Sequence, residues 1–356
     1  MPRRGFILPA RGTEAAMRLV ITGATGNIGT ALLRLLQEHD EVTSLGAVAT
    51  RPPPPQPPYD RAEWLACDLA DRSCIPSLTE LMRHATAVVH LAWDILGAHH
   101  RRGQRRTNLL GTSHVIDAAT RARVGQLVHL SSVAAYAPDP EHAAEVPEEW
   151  PTEGIPGNWY SADKVAAERM LDQLVHTGAI PRVVRVRPPM VLQPDAAGEL
   201  TRYLLGRLAP LVRHRATRVP VLPLPGSVKT QVVHAEDVAT LVWLAIQAGA
   251  TGPYNVADPP VLSADDFARA LHLRRIPIPA WLLRTGMELT AATRLQPLDS
   301  SWFDLLANVP LVSTHRAERE LGWRPHHRGD TLLAAVRDAA VRGAGTASER
   351  MAPQPA

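Results

Sequence analysis

Three regularly spaced glycines between an apolar segment and an amphipathic one restrict the fold of this chain more than any other feature. Residues 17–24 are typical of a buried strand, and residues 28–38 carry apolar side chains at helical spacing. Gly23, Gly26 and Gly29 lie at the junction in a Gly-x-x-Gly-x-x-Gly pattern. Glycines allow a tight turn and a close approach of the backbone to a pyrophosphate, and the helix start offers unpaired N–H groups. The junction therefore predicts a strand–turn–helix unit that binds a dinucleotide.

Short apolar runs alternate with helical patterns along the first half of the chain. After the first unit, the apolar runs are residues 42–49, 87–92, 127–131 and 183–186, and the helical patterns are residues 75–84, 107–121 and 159–176. Strands that alternate with helices of this length indicate a parallel sheet covered on both faces. The sequence therefore predicts an α/β fold, a Rossmann-type doubly wound parallel sheet with a smaller C-terminal substrate-binding lobe.

The domain boundaries follow from changes in composition. We expect residues 17–193 to form the nucleotide-binding domain, with residues 226–258 returning to it. The segments 194–225 and 259–335 are rich in Pro and Arg and are expected to form the substrate lobe. Residues 1–16 and 343–356 are expected to be a disordered extension and a disordered tail.

Lysine usage singles out one candidate catalytic pair. Of the 38 Lys and Arg residues only two are lysines, so a retained lysine marks a site that requires a compact ammonium. One of them, Lys164, follows Tyr160 by four residues, which places both side chains on one face of a helix. A cation near the phenol lowers the tyrosine pKa. The pair therefore predicts a general acid or base that acts on a substrate hydroxyl or carbonyl.

Six segments together resemble the extended short-chain dehydrogenase/reductases, the NAD-dependent epimerase/dehydratase family, over roughly residues 17–335. The segments are the glycine turn 23–29, Cys67-Asp68-Leu69, His90-Leu91-Ala92, Asn108-Leu109-Leu110-Gly111-Thr112, Leu130-Ser131-Ser132-Val133-Ala134-Ala135-Tyr136 and Tyr160-Ser161-Ala162-Asp163-Lys164. Downstream matches include Arg187-Pro188, Val233-His234-Ala235-Glu236-Asp237 and Leu321-Gly322-Trp323.

The resemblance implies an enzyme with a nicotinamide dinucleotide cofactor and a catalytic set of Ser132, Tyr160 and Lys164. Tyr160 would be the acid/base, Ser132 would hydrogen-bond the same substrate oxygen, and Lys164 would also hold the cofactor ribose. The cofactor contacts are expected from the glycine turn, the strand ends and the loop after Arg187; they are Gly23, Thr25, Gly26, Asn27, Ile28, Gly29, Arg51, Asp68, Leu69, Leu91, Ala92, Trp93, Tyr160, Lys164 and Pro188. Leu91 and Ala92 also fit core packing.

The end of the second strand bears on the choice of cofactor. An acid there would bind the ribose hydroxyls of NAD, whereas an Arg would accept the 2′-phosphate of NADP. Here the strand ends in Ala49-Thr50-Arg51 without an acid, which favours NADP, with NAD as the alternative. Arg51 could equally be a solvated loop residue.

Three functions remain open at this point. The first is an oxidoreductase that transfers a hydride between nicotinamide and a carbonyl or secondary alcohol; the alternatives are a nucleotide-sugar epimerase and a cofactor-binding sensor or scaffold without turnover. Val133 and Ala134 replace the acid pair of the sugar dehydratases, and Thr230, next to Lys229, replaces an Arg that binds diphosphate in the epimerases. The aromatic residues of the lobe suit an apolar or mixed substrate, or form the lobe core; they are Tyr203, Trp281, Trp302 and Phe303.

Composition argues against several other classes. The net charge is +3 and no basic block with interleaved aromatics is present, so we expect a small-molecule substrate and no nucleic acid. Two cysteines make no disulfide framework and indicate a reduced, cytoplasmic protein, and the scattered histidines predict no metal site. The sequence contains no run of eighteen apolar residues, so it predicts no membrane-spanning helix. The family resemblance also implies a homodimer, formed partly through the helix of Tyr160 and Lys164.

Overall fold

The computed structural model describes residues 16–95, 101–205, 221–295 and 297–352. Its main sheet has seven parallel strands in the order β10-β6-β5-β4-β1-β2-β3, and this confirms the predicted Rossmann-type architecture. The strands of this sheet are Met17–Thr22 (β1), Val42–Ala49 (β2), Ala62–Ala66 (β3), Ala87–His90 (β4), Gln126–Leu130 (β5), Arg182–Arg187 (β6) and Gly252–Asn255 (β10).

Helices cover both faces of the sheet, because successive side chains of each strand point to opposite faces. Leu19 and Ile21 of β1 pack with the helices on one face, whereas Val20 packs with those on the other. The described helices are Asn27–Leu36 (α1), Ile75–Leu81 (α2), Arg101–Arg105 (α3), Gly111–Arg121 (α4), Trp159–Thr177 (α5), Ala197–Leu205 (α6), Ala235–Gln247 (α7), Ala264–Ala270 (α8), Ala280–Ala292 (α9), Ser300–Asn308 (α10), His315–Leu321 (α11) and Gly329–Arg342 (α12). Among the described residues, none of these helices is both long and apolar enough to span a bilayer.

The order of the strands places a crevice beside β1. The chain moves outward from β1 to β2 and β3 and then crosses back to β4, which pairs with the other edge of β1. At such a switch point, the carboxyl ends of the two central strands border a ligand crevice. The glycine turn follows β1 and residues 91–95 follow β4, so both lie at this crevice.

Two small sheets form the second lobe. One has the order β11-β9-β7 and the other pairs β12 with β8; their strands are Met190–Leu192 (β7), Val221–Pro223 (β8), Lys229–His234 (β9), Asp258–Ser263 (β11) and Arg274–Ile276 (β12). Within the predicted return segment 226–258, α7 and β10 pack on the main domain, whereas β9 belongs to the small sheet. The remainder of the predicted lobe, residues 206–220, lies outside the described residues.

The chain termini differ from each other. All of the predicted N-terminal extension except residue 16 lies outside the described residues. The C-terminal segment departs from expectation: residues 344–352 fold back after α12 instead of forming a disordered tail, and Ser348 and Met351 are each only 1% exposed. Tertiary contacts order this segment, because these two side chains are buried against the main domain. Residues 353–356 lie outside the described part.

Candidate active site

The glycine turn is shaped by close backbone contacts. Gly23 has φ +72°, and a Cβ there would lie 2.6 Å from the backbone nitrogen of Ala92 at the end of β4. A Cβ at Gly29 would lie 2.4 Å from the Gly23 carbonyl oxygen. Helix α1 begins after Gly26 without a side-chain cap. No side chain therefore caps the first N–H groups of α1 at the crevice. These groups can donate hydrogen bonds to a pyrophosphate.

The three predicted catalytic residues converge at the carboxyl end of β5. Asn158 caps α5 by accepting a hydrogen bond from Ser161 N at 2.8 Å, and this fixes the start of the helix that carries Tyr160 and Lys164. Ser132 follows β5, and its hydroxyl accepts from Ala134 N at 3.1 Å. The Ser132 hydroxyl lies near enough to the Tyr160 phenol to favour its charged form and so to lower its pKa. The structure therefore brings all three side chains to one site.

Lys164 is buried beneath this site with its ammonium group directed at two partners. The side chain is 1% exposed, and Nζ donates to the Leu130 carbonyl oxygen at 2.8 Å. Nζ also lies 3.5 Å from the centroid of the Trp93 ring, a cation–π contact. Burial lowers the pKa of Lys164 to about 7. The ammonium is therefore close to losing its proton at neutral pH.

The electrostatics of Tyr160 differ from the sequence prediction. Burial raises the pKa of its phenol to about 12, and the nearby Ser132 hydroxyl offsets this only in part. Lys164 does not lower this pKa, since Nζ lies 5.7 Å from the Tyr160 ring centroid and its own charge is weakened by burial. The phenol is consequently protonated at neutral pH and suited to donate a proton.

Three tryptophans surround Tyr160. Trp302 from α10 stacks on the phenol ring at 5.5 Å between centroids, and Trp93 and Trp159 approach it edge-on at 6.4 and 6.3 Å. The three indole N–H groups are buried without a hydrogen-bond partner. Buried donors of this kind normally find an acceptor, so this aromatic wall can hold a ligand that carries both apolar surface and hydrogen-bond acceptors.

The other lobe aromatics lie elsewhere. Phe303 is 5% exposed and packs in the lobe core, Trp281 is 65% exposed, and Tyr203 donates a hydrogen bond to Glu199 at 2.6 Å. Of the four lobe aromatics singled out in the sequence, Trp302 is the one in contact with Tyr160.

The predicted adenosine contacts lie at the ends of β2 and β3. Asp68 accepts a hydrogen bond from Ala70 N at 2.9 Å, and Leu69 is 6% exposed and packs in the core. Arg51 is largely exposed and forms an ion pair with Glu349 from the C-terminal segment. Arg51 is thus a paired cation at the edge of the crevice.

The remaining predicted contacts lie after β4 and after β6. Leu91 is 9% exposed, the Ala92 backbone touches Gly23, and the Pro188 carbonyl oxygen accepts from Ser132 Oγ at 3.4 Å. Asn108 is fully buried. Its side-chain amide accepts a hydrogen bond from Asp94 N and donates one to the Asp94 carbonyl oxygen, so its role is structural.

Sequence reasoning missed two features of this region. Trp159 stands directly before Tyr160, and this adjacency was an available signal for an aromatic wall.

The second feature is a histidine pair. The rings of His327 and His234 stack with centroids 3.8 Å apart, and together with Glu236 they place potential metal-ligand atoms within 4.8 Å of one another. Asp237 accepts from His327 Nδ1 at 2.8 Å. The adjacent histidines in the sequence gave no signal of this contact, because it joins segments about 90 residues apart.

This group borders a cavity of about 470 Å³ between α1 and α12. His234 Nδ1 accepts a hydrogen bond from Glu236 N at 3.1 Å, so the nitrogen nearest to the carboxylate is already in use. These bonds stabilise the start of α7 and the turn before α12.

Comparisons with known proteins agree with this geometry. The family model described as "NAD dependent epimerase/dehydratase family" matches residues 19–257. Among solved structures, the terminal R domain from the myxalamid PKS-NRPS biosynthetic pathway superposes with a TM-score of 0.71 at 18% identity, covering 93% of this chain and 92% of that one. Gox2253 superposes with a TM-score of 0.67 at 21% identity, covering 91% and 97%. At these identities the superpositions show a shared fold.

Curated relatives match only in part. The dTDP-glucose 4,6-dehydratase of Streptomyces antibioticus is 32% identical over 172 residues, which is 43% of this chain and 47% of that protein. The hybrid PKS-NRPS synthetase poxE of Penicillium oxalicum is 27% identical over 192 residues, which is 51% of this chain and 4% of that protein. The chain thus spans less than half the length of both relatives.

Proposed function

This chain belongs to the NAD dependent epimerase/dehydratase family, and from that premise we propose that it is an oxidoreductase that reduces a carbonyl compound to an alcohol. When bound in its reduced form, the nicotinamide cofactor would supply a hydride to the carbonyl carbon. The π pair of the C=O bond then moves to the oxygen, and the Tyr160 hydroxyl gives its proton to that oxygen.

The protonated phenol of Tyr160 beside Ser132 carries the proposal. With a pKa raised to about 12, this phenol is a poor base for oxidising an alcohol at neutral pH. A developing alkoxide is a much stronger base than a phenolate, so the transfer of the Tyr160 proton to it is downhill. The site therefore contains the proton donor that carbonyl reduction requires.

Ser132 and Lys164 have supporting roles in this proposal. The hydrogen bond from Ser132 Oγ to the Pro188 carbonyl is long, at 3.4 Å, so the hydroxyl can exchange it for the substrate oxygen. An ammonium has three donors. Leu130 and the face of Trp93 take two of those of Lys164, and we assign the third to the cofactor ribose.

The aromatic wall supports a substrate class. Trp93, Trp159 and Trp302 offer ring faces and edges together with unpartnered indole donors. A substrate with an apolar or aromatic body and acceptor oxygens close to the carbonyl matches this surface. An apolar body gains from contact with the rings, and the acceptors satisfy the buried N–H groups.

Two positions weigh against a nucleotide-sugar epimerase. Thr230 stands in the place of the diphosphate-binding Arg and is 5% exposed. Its hydroxyl donates a hydrogen bond to the carbonyl oxygen of the next residue, Gln231. The neighbouring Lys229 is exposed at the start of β9. No cation thus stands at the Thr230 position itself to bind a diphosphate.

A spectrophotometric screen tests the proposal. The protein is mixed with NADH or NADPH and with panels of aromatic ketones, aliphatic aldehydes and UDP- or dTDP-sugars, and cofactor oxidation is followed at 340 nm. We expect net oxidation with a carbonyl compound. The nucleotide sugars are also incubated with NAD⁺ or NADP⁺ and their products are analysed by chromatography. Conversion of a nucleotide sugar without net change in the cofactor would establish the epimerase instead, and binding without turnover across both panels would favour a sensor.

A further inference from the structure

The folded C-terminal segment, residues 344–352, is called the strap here. It closes on itself through a hydrogen bond from Thr346 N to Met351 O at 2.6 Å and another from Met351 N to Ser348 O at 3.0 Å. The side chains of Ser348 and Met351 are each 1% exposed, and Ala347 packs on the main core. The strap is therefore seated on the nucleotide-binding domain through buried side chains.

The strap lies against the glycine turn and its neighbours. Ser348 Oγ donates to the Thr25 carbonyl oxygen at 2.7 Å, and the Tyr59 hydroxyl donates to Thr346 Oγ1 at 3.2 Å. Gln193 Nε2 lies 3.9 Å from the Met351 sulfur. Because Thr25 lies in the glycine turn after β1, these contacts place the strap beside that turn at the border of the proposed cofactor crevice.

The contact with the turn is made through a carbonyl and leaves the N–H groups of α1 without a side-chain cap. Those N–H groups are the donors that a pyrophosphate requires. The strap therefore borders the crevice and leaves the N–H groups that would bind phosphate available. We expect the strap to affect binding of the adenosine ribose instead.

At that end, Glu349 of the strap forms an ion pair with Arg51. The end of β2 has no acid of its own, and Arg51 is the group that would accept a 2′-phosphate. We propose that Glu349 supplies from the C-terminus the carboxylate that β2 lacks, and that it sets the cofactor preference to NAD. This proposal rests on the dinucleotide site of the proposed function.

The charges at this end explain the direction of the preference. A 2′-phosphate that approaches Arg51 meets the Glu349 carboxylate, so it must displace the carboxylate or accept a like-charge repulsion. The ribose hydroxyls of NAD are neutral donors that a carboxylate can accept. Since Arg51 and Glu349 are both largely exposed, salt screens the effect, and we expect a moderate discrimination of about fivefold to tenfold.

Equilibrium titrations with NADH and NADPH, without any substrate, test this inference. They use the wild-type chain, Glu349→Gln, a truncation after Gly343, and Glu80→Gln. The last variant is a matched control, because Glu80 of α2 also forms an exposed ion pair with an arginine, Arg83. Fluorescence of the bound nicotinamide and isothermal calorimetry give the dissociation constants.

We expect the wild-type chain to bind NADH at least fivefold tighter than NADPH. Glu349→Gln should lower this ratio by about fivefold to tenfold through tighter NADPH binding, with the largest change at low salt, and the truncation should do the same. Glu80→Gln should leave the ratio unchanged. Since no turnover is measured, the result stands even if the proposed reductase reaction is wrong.

Several outcomes would overturn the inference. They are an unchanged ratio in Glu349→Gln, a wild-type chain that already prefers NADPH, and the failure of both dinucleotides to bind any variant. Equal tightening of both dinucleotides in the truncation would also overturn it, since the strap would then exclude the whole cofactor instead of selecting between the two.

Discussion

Replacing Lys164 with methionine should make the protein more stable while it removes activity. The folded chain loses the Lys164 proton above pH about 7, whereas the unfolded chain keeps it up to the ordinary lysine pKa of 10.5. Between these values the unfolded chain binds more protons, so the free energy of unfolding rises with pH. The buried charge thus lowers stability most below pH 7, and this penalty disappears as the pH approaches 10.5.

The size of the effect follows from the same shift. One pKa unit corresponds to about 1.4 kcal/mol, so the penalty is about 4 kcal/mol at pH 7 and about 2 kcal/mol at pH 9. Methionine fills similar space but leaves the Leu130 carbonyl oxygen without its donor, which costs about 1–3 kcal/mol at either pH. Lys164→Met should therefore be more stable than the wild type by about 2 kcal/mol at pH 7, and the difference should fall by about 2 kcal/mol between pH 7 and pH 9.

Urea unfolding of both proteins at pH 7 and pH 9 measures this difference. Lys229→Met is the matched control, because Lys229 is exposed and is the only other lysine of the chain. The comparison separates the effect of the buried Lys164 ammonium from the effect of losing an exposed lysine. A Lys164→Met difference that stays constant between the two pH values would refute the argument, because the ammonium would then keep its proton in the folded state.

Three further predictions concern the turn, the aromatic wall and the core. Gly23→Ala places a Cβ 2.6 Å from Ala92 N at positive φ and should lose dinucleotide binding in a titration, with a stability loss of about 1–3 kcal/mol on urea unfolding. Trp302→Ala should raise the KM for aromatic carbonyl substrates about tenfold and change that for short aliphatic aldehydes much less, because it removes a stacking face; equal effects on both would remove Trp302 from substrate binding. Glu168→Gln leaves Arg187, which is 3% exposed, without its charge partner and should destabilise the protein by about 3 kcal/mol in the same unfolding assay, with no shift in substrate preference.

The parts of the fold that local patterns specify were predictable from the sequence. The glycine turn needs close backbone contacts that only glycine permits, and the alternation of apolar runs with helical spacing indicates a covered parallel sheet. The spacing of Tyr160 and Lys164 likewise placed both on one turn of α5. These features depend on neighbours within a few residues of one another.

Features that depend on long-range contacts were not predictable in this way. The strap has no hydrophobic periodicity, and its bond from Ser348 to Thr25 joins residues 323 positions apart. The pKa values of Tyr160 and Lys164 are set by burial between separate elements, so the sequence alone suggested that Lys164 lowers the Tyr160 pKa, whereas burial raises it. The partner of Arg51 was hidden for the same reason.

The most direct test of the central claim is the turnover of Tyr160→Phe with the best carbonyl substrate of the screen. Tyr254→Phe is the matched control, since Tyr254 lies on the edge strand β10, is 2% exposed and donates its hydroxyl hydrogen bond to Glu320 of α11. We predict that Tyr160→Phe lowers kcat by about a hundredfold or more, with the dissociation constant of the cofactor unchanged, and that Tyr254→Phe keeps near wild-type turnover. A kcat for Tyr160→Phe within about threefold of the wild type would show that Tyr160 does not donate the proton.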